Sequence, residues 1–333
     1  MSVAEPATHP VESTGFRRYL GAVWKATGRS PAWPLLTLLV VFFAFQSPFF
    51  LSPFNISVIL GQTVLVGMLA IGLTPLAISG NIDLSVGAIA ALGTCLTVAV
   101  QPFVGPVGAV AVTLACSTLC GVINGLIVER LKLNSIIVTI AVGTALHGAT
   151  YLLFGVTTKV APDTSFVDFG SLKLLGLSSS VIIFLLLAIA TSLMLRFTVH
   201  GVHTYAIGGH RQAALDAGVN VERHVLINFA YSGLFAGLCG VLLVASLGAG
   251  SPTYAKDYEL WAIIAVVLGG TRLAGGAGTV AGTVAAALSL TVLRNGMTLM
   301  KIDVRWFLIA LGLSLIVALI LDRLRSGEPD VAE

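Results

Sequence analysis

Ser79-Gly80-Asn81-Ile82-Asp83-Leu84-Ser85-Val86-Gly87-Ala88 sets a single carboxylate into an apolar tract. No Asp, Glu, Lys or Arg occurs between Arg29 and Asp83, nor between Asp83 and Glu129. A charge-free run of that length exceeds any soluble core and reads as consecutive membrane spans. A carboxylate between spans is costly to desolvate, so Asp83 is expected at a water-facing turn or paired within the bundle. The Leu-Ser-Val-Gly that follows opens an apolar helix, whose N-terminus favours an anion, so a capping role is also expected.

Composition agrees. The 333 residues are 56% hydrophobic and 10% charged, with mean hydropathy +0.98, whereas a soluble chain has roughly a quarter of its residues charged. The net charge of +3 is small and argues for no nucleic-acid partner; the apolar composition implies a lipid bilayer around the chain. Apolar blocks fall near 31–51, 56–78, 84–101, 105–128, 135–155, 178–195, 225–247, 259–271, 277–299 and 304–321. The expected fold is an all-α polytopic membrane protein of about ten transmembrane helices, with 259–271 a short or half helix.

Charge asymmetry orients the spans. Arg17, Arg18, Lys25 and Arg29 precede the first block, which has no evident cleavage site after it, and place the tail 1–30 in the cytoplasm. Alternation then puts Arg130 and Lys132, Arg196 to Arg223, Arg272, and Arg323 with Arg325 on the same side. Arg294, Lys301 and Arg305 oppose this at the last outside turn. The chain divides into the tail 1–30, a membrane domain 31–323 with a cytoplasmic loop at 196–223 and an external loop at 156–177, and a cytoplasmic tail 324–333.

Small residues four apart, Gly121 with Gly125, Gly233 with Gly237 and Gly278 with Gly282, predict close helix packing. Cys95, Cys116, Cys120 and Cys239 lie in apolar helices and read as packing residues. His200 and His203 lack a third partner at convincing spacing, so no metal site is expected. The segment 80–88 aligns without gaps to Gly269-Gly270-Thr271-Arg272-Leu273-Ala274-Gly275-Gly276-Ala277, matching at the first Gly, the Leu, the last Gly and the Ala. That match sets Asp83 opposite Arg272 and suggests a parallel repeat. In the 196–223 loop, Gly208-Gly209 and Gly218 bracket a short helix from His210 to Ala217. A two-turn helix is marginal alone and needs a surface to lie on, lipid or a partner protein, and its lack of a strong apolar face disfavours lipid.

Three stretches, 79–87, Tyr205-Ala206-Ile207-Gly208-Gly209-His210-Arg211-Gln212-Ala213-Ala214, and Tyr258 to Gly276 with its Val266-Val267-Leu268-Gly269-Gly270-Thr271-Arg272 core, resemble the signatures of ribose-type sugar ABC transporter permeases, in similar order from about residue 35 to 322. Asn81, His210 and Trp261 depart from the usual Gly, Asn and Asp of that family. The resemblance implies an importer subunit of the bacterial inner membrane, working with a second permease copy or paralogue, a cytoplasmic ATPase that binds ATP and Mg, and a periplasmic or surface solute-binding protein. It also implies that Gly208, Gly209, His210, Arg211, Ala214 and Gly218 belong to the helix that docks on the ATPase. The motif turns are then Asp83, Ser85 and Gly87, and Gly269, Gly270, Arg272, Gly275 and Gly276.

The residues themselves exclude an ATPase: a phosphate-binding loop needs Gly followed by Lys, and none of the six lysines follows a glycine. The chain is expected to bind no cofactor of its own. A secondary transporter needs an ionisable site within the spans, for which Asp83, Glu259, His147 and Arg294 are the few candidates. A membrane enzyme needs clustered carboxylates or histidines, and no two Asp or Glu are adjacent. Gln62, Thr63, Asn124, Tyr258 and Asn295 offer the amide, hydroxyl and aromatic groups a polyol pathway uses.

Overall fold

The computed structural model describes residues 30–326 apart from 164 and 175. The basic N-terminal tail, the last seven residues and the tail assignments made from them lie outside the described residues. The elements are α1 (Ala32–Gln46), α2 (Pro53–Ile78), α3 (Val86–Leu131), α4 (Ser135–Phe154), α5 (Ser165–Ser171), α6 (Ser179–Phe197), α7 (Val199–Gly209), α8 (Arg211–Asp216), α9 (Val221–Leu247), α10 (Tyr258–Leu268), α11 (Val280–Leu299) and α12 (Val304–Ser326). Short strands β1 (Lys159–Val160), β2 (Lys173–Leu174), β3 (Leu177–Ser178) and β4 (Ala249–Gly250) pair antiparallel, β1 with β4 and β2 with β3.

Polar residues set the helix starts. Ser52 accepts from Asn55 N with Pro53 in the first turn, Asn134 accepts from Ile136 N and Ile137 N, Thr198 from Gly201 N, Asn220 from Arg223 N and Thr279 from Gly282 N. Each satisfies an N–H that the helix itself leaves free, which apolar surroundings make costly.

Among the described residues, six helices are long and apolar enough to cross a membrane, and Ala32–Gln46, Tyr258–Leu268 and Arg305–Ser314 are shorter apolar stretches. The expected blocks 84–101 and 105–128 fall within one element, α3, broken at Gly105 by φ 70° and ψ 175°. Thr97 and Thr113 would lie about 24 Å apart on a straight helix, yet their hydroxyls are 2.9 Å apart. The chain therefore reverses at Gly105, and α3 is a helical hairpin.

The elements run between two ends. At one, the end of α2 meets Gly208 and the turn before α11; at the other, β1 pairs with β4 over the end of α9. The helical pair α3 and α9 makes the closest seam. A Cβ on Gly121 would be 2.2 Å from Phe229 O, and one on Gly233 would be 2.4 Å from Ser117 O, so the two backbones touch. Glycines of the two expected pairs thus face each other across that seam; Gly282 instead packs on Gly269 O.

Candidate functional site

The three sequence stretches singled out above converge at the α8 end. Gly276 N donates to Ile78 O at 2.8 Å. A Cβ on Gly208 would lie 1.8 Å from that same carbonyl and 2.5 Å from Gly276 N. Gly275, at φ 90°, would set a Cβ 2.8 Å from Gly208 Cα and 2.9 Å from Gly80 N. Bare backbone of three segments is thus stacked with no side chain between, a contact open only to glycine. Tyr205 Oη, donating to Gly278 O at 2.8 Å, fastens α7 to the same junction.

Helix α8 hangs from this junction. It is shorter than the His210–Ala217 expected: Gly208 and Gly209 close α7 rather than open α8, and His210 is the N-cap, its Nδ1 accepting from Ala213 N at 3.1 Å. Gly218 follows at φ 80°, the left-handed exit foreseen. Gln212, Ala213, Leu215 and Asp216 face outward, Leu215 at 45% exposure. Ala214 points the other way and is 5% exposed, part of the main core. Ala214, which the resemblance sets in the docking helix, therefore faces the bundle and not outward: a six-residue helix is kept in place by burying an apolar residue, and Ala214 is that residue.

Asp83 is not at the surface. It is fully buried and takes Ser85 N at 2.9 Å, Ser85 Oγ at 2.6 Å and Asn124 Nδ2 at 3.5 Å on Oδ1, and Ser232 Oγ at 3.0 Å on Oδ2. Ser232 stands eleven residues into α9 and Asn124 seven from the end of α3, which places the carboxylate about 10 to 16 Å inside the bundle. The chain reaches that depth because residues 82–84 run extended beside the first turns of α4, Ile82 N donating to Ser135 Oγ and Leu84 N to Thr139 Oγ1. Ser85 then opens α3 as its N-cap without a side-chain cap bond, and Asp83, two residues earlier, accepts from Ser85 N and not from the N–H groups of the first turn. Among the described residues no cation lies within 4.0 Å of it; neutral donors carry the whole task. Gly87 is small because Glu259 occupies the space: a Cβ there would be 2.0 Å from Glu259 Oε2.

The turn after α10 repeats the turn after α2, one residue out of step with the sequence match. Gly80 N donates to Ala77 O and Asn81 N to Leu76 O; Gly270 N donates to Val267 O and Thr271 N to Val266 O. Gly80 and Gly270 hold the left-handed positions at φ 81° and 94°. In this register Asp83 stands opposite Leu273, and Ile82 opposite Arg272. The expected Asp83–Arg272 correspondence is therefore corrected: glycines on both sides of the caps let the sequences slide, and the hydrogen bonds fix the register. Gly269 packs on the backbone of Gly282 and Thr283, and Arg272 N closes a local loop to Ala277 O at 2.9 Å.

The polar pathway candidates are scattered. Asn124 donates to Ser85 Oγ at 2.8 Å, Thr63 to Ile59 O of its own helix, and Asn295 and Asn55 exchange amide bonds at 2.9 and 2.8 Å. Gln62 is exposed on α2. Tyr258 tilts on Trp261 at 5.9 Å between ring centroids, and the Arg294 guanidinium lies 5.1 Å over the Trp261 ring, so an aromatic face of α10 carries a cation from α11.

One constellation escaped the sequence. His200 Nδ1 meets His224 Nδ1 at 2.7 Å, His224 Nε2 meets His203 Nδ1 at 2.8 Å, and His200 Nε2 meets Asn228 Oδ1 at 2.9 Å. The chain closes with three neutral rings, each donating once toward Asn228. Burial first, then His203, holds the His200 pKa below its ordinary 6.5 against the opposing bond to Asn228. His224 follows His200 by twenty-four residues, so only the packing of α7 on α9 reveals it. Among the described residues no group of three such side chains is arranged to hold a metal.

A family model described as branched-chain amino acid transport system / permease component matches residues 55–319. The ribose import permease protein RbsC of Bacillus subtilis is 36% identical over 295 residues, covering 88% of this chain and 92% of that protein. RbsC of Escherichia coli K12 is 33% identical over 92% of this chain and 96% of its own length, and the D-allose transport system permease protein AlsC of the same strain is 31% identical over 88% and 90%. No solved structure matches the chain. With its apolar helical bundle, its three convergent motifs and this extent of similarity, the chain belongs to the branched-chain amino acid transport system / permease component family and is an ABC importer permease subunit.

Proposed function

We propose that this permease imports a monosaccharide or related small polar solute across a bacterial inner membrane, driven by ATP hydrolysis in a partner subunit that α8 engages. The observation that carries the reading is α8 itself: a two-turn helix with an outward face of Gln212, Ala213, Leu215 and Asp216, seated on a junction of three glycine-rich segments. A rigid seat of backbone on backbone passes a displacement on, where flexible side chains would absorb it. The ends of α2, α7 and the loop before α11 are tied together there, so one push reaches several helices. The sugar class is supported by the relatives, which are named for ribose and allose import.

In this reading the α8 end is cytoplasmic, the chain crosses about ten times with α10 as a half-crossing, and both termini share the α8 side. A second copy or paralogue completes the pathway, a solute-binding protein delivers substrate to the β1–β4 end, and ATP and Mg reside on the ATPase. The test is reconstitution with those partners in vesicles. Expected is uptake that requires ATP and survives a proton uncoupler, and that is lost with Leu215→Glu, a change at an exposed site that spares the fold. Uptake abolished by the uncoupler with ATP present would identify a secondary carrier instead. A cysteine at Gln212 should react with an impermeant thiol reagent only in opened cells.

A further inference from the structure

Glu129 is an acid where none is expected. It stands in the last turn of α3, where the helix dipole is negative, and its side chain is 2% exposed. Both electrostatics and desolvation oppose a carboxylate there, so its charge needs close partners, and here, unlike at Asp83, they are cations. Two reach the same oxygen: Arg211 Nη2 at 2.6 Å from Oε2, and Lys132 Nζ at 3.4 Å. Lys132 belongs to the same chain end and turns back from a left-handed position at φ 54°. Arg211 comes from elsewhere, as the first residue of α8. Next to this pair, Arg130 binds Glu222 on the first turn of α9.

We propose that Glu129 is a positioning residue for energy coupling: its buried carboxylate straps α8 to the end of α3, so that a push on α8 is delivered into the Gly105–Leu131 arm. Moving α8 away from α3 strips a buried charge of its principal partner, whereas moving both together strips nothing. The apolar contact of Ala214 resists separation without fixing a direction; the Arg211 guanidinium, a rigid planar donor, fixes one. Beyond Glu129 the route is continuous. The arm touches α9 backbone at Gly121 and Gly233, and Asn124, five residues from Glu129, holds Ser85 and Asp83. A shift of the α3 end therefore arrives at the buried Asp83 turn.

The inference rests on α8 being the helix that docks on the ATPase, and the experiment separates the two. The complete importer is reconstituted with wild-type permease, Glu129→Gln, Arg211→Gln, the double variant, Arg211→Lys and Leu215→Glu, and ATPase binding, ATP hydrolysis and solute taken up per ATP are measured. Glu129→Gln removes the buried charge itself, so its fold is not at risk. Each Gln variant should bind the ATPase normally yet lose uptake per ATP by about tenfold, with the double variant no worse than either single, the non-additivity of one shared contact. Arg211→Lys should restore most of the ratio. A role confined to stability would lower assembled complex, hydrolysis and uptake together and leave the ratio unchanged, which would overturn the strap; so would additive losses. If Leu215→Glu leaves ATPase binding intact, the docking reading fails and the strap with it. If Leu215→Glu abolishes binding while the Gln variants keep the normal ratio, only the strap falls.

Discussion

The turns after α2 and after α10 end their helices with the same pair of backbone hydrogen bonds and the same left-handed glycine, and then part company. The first runs extended into the bundle along α4 and delivers Asp83 to a fully buried site ringed by Ser85, Asn124 and Ser232. The second folds back on itself, Arg272 N to Ala277 O, and stays at the α8 end, where Gly275 and Gly276 carry α7. A local motif can thus be repeated while the neighbours decide its use. Where α4 offers Ser135 and Thr139 as side-chain partners for Ile82 N and Leu84 N, the chain can enter the bundle; without such partners its N–H groups bond locally.

The comparison is broken most forcefully at the point where the two turns meet. Gly208→Ala drives a Cβ into Ile78 O and Gly276 N, and because both are backbone the junction must open; a loss of about 4 kcal/mol or more is expected, seen as failure to accumulate or as early thermal unfolding in detergent. Gly209→Ala, with nothing within 4 Å of its Cβ, should be tolerated. Equal behaviour of the two variants would mean the junction is loose.

Asp83→Ala comes next. It leaves the Ser85, Asn124 and Ser232 donors unmatched in the interior, at about 3 kcal/mol, while Leu273→Ala, its structural counterpart in the other turn, should cost about 1 kcal/mol. Thermal denaturation of the two detergent-solubilised variants measures the gap. Arg272→Ala, with no ion pair among the described residues, should leave stability close to wild type; a loss as large as that of Asp83→Ala would restore the pairing that the sequence match suggests.

Ala214→Glu tests the same end by a different route. A carboxylate forced into the core contact of α8 should destabilise by about 3 kcal/mol, while Gln212→Glu on the outward face should not be felt, again by thermal unfolding. Smallest is the effect of pH on the histidine chain. The folded state holds His200 below its ordinary 6.5 and so binds fewer protons than the unfolded chain. The stability it contributes is complete above that value and is lost as pH falls from it toward the lower folded pKa. Protection of the α7 amides, exchange measured relative to its intrinsic rate at each pH, should therefore fall on acidification through that window, and His200→Asn should flatten the dependence. The groups facing the chain are His203 on α7 and His224, Arg223 and Asn228 on α9; Arg196 ends α6 and lies over Phe197 instead.

The amino-acid sequence by itself determined that this is a helical membrane protein, where its apolar helices lie, that 259–271 is short, that glycines pack its helices, and to which family it belongs. Those features are local or additive: twenty apolar residues are enough to favour a span, and a Ser, Thr or Asn is enough to start one. The tertiary structure alone decided the reversal of α3 at Gly105, the depth of Asp83, the inward face of Ala214, the register of the two turns, and the meeting of His200, His203 and His224. Each of these depends on groups far apart in the chain. A carboxylate reads the same in sequence whether a cation or three neutral side chains will hold it, and only packing brings those side chains to it.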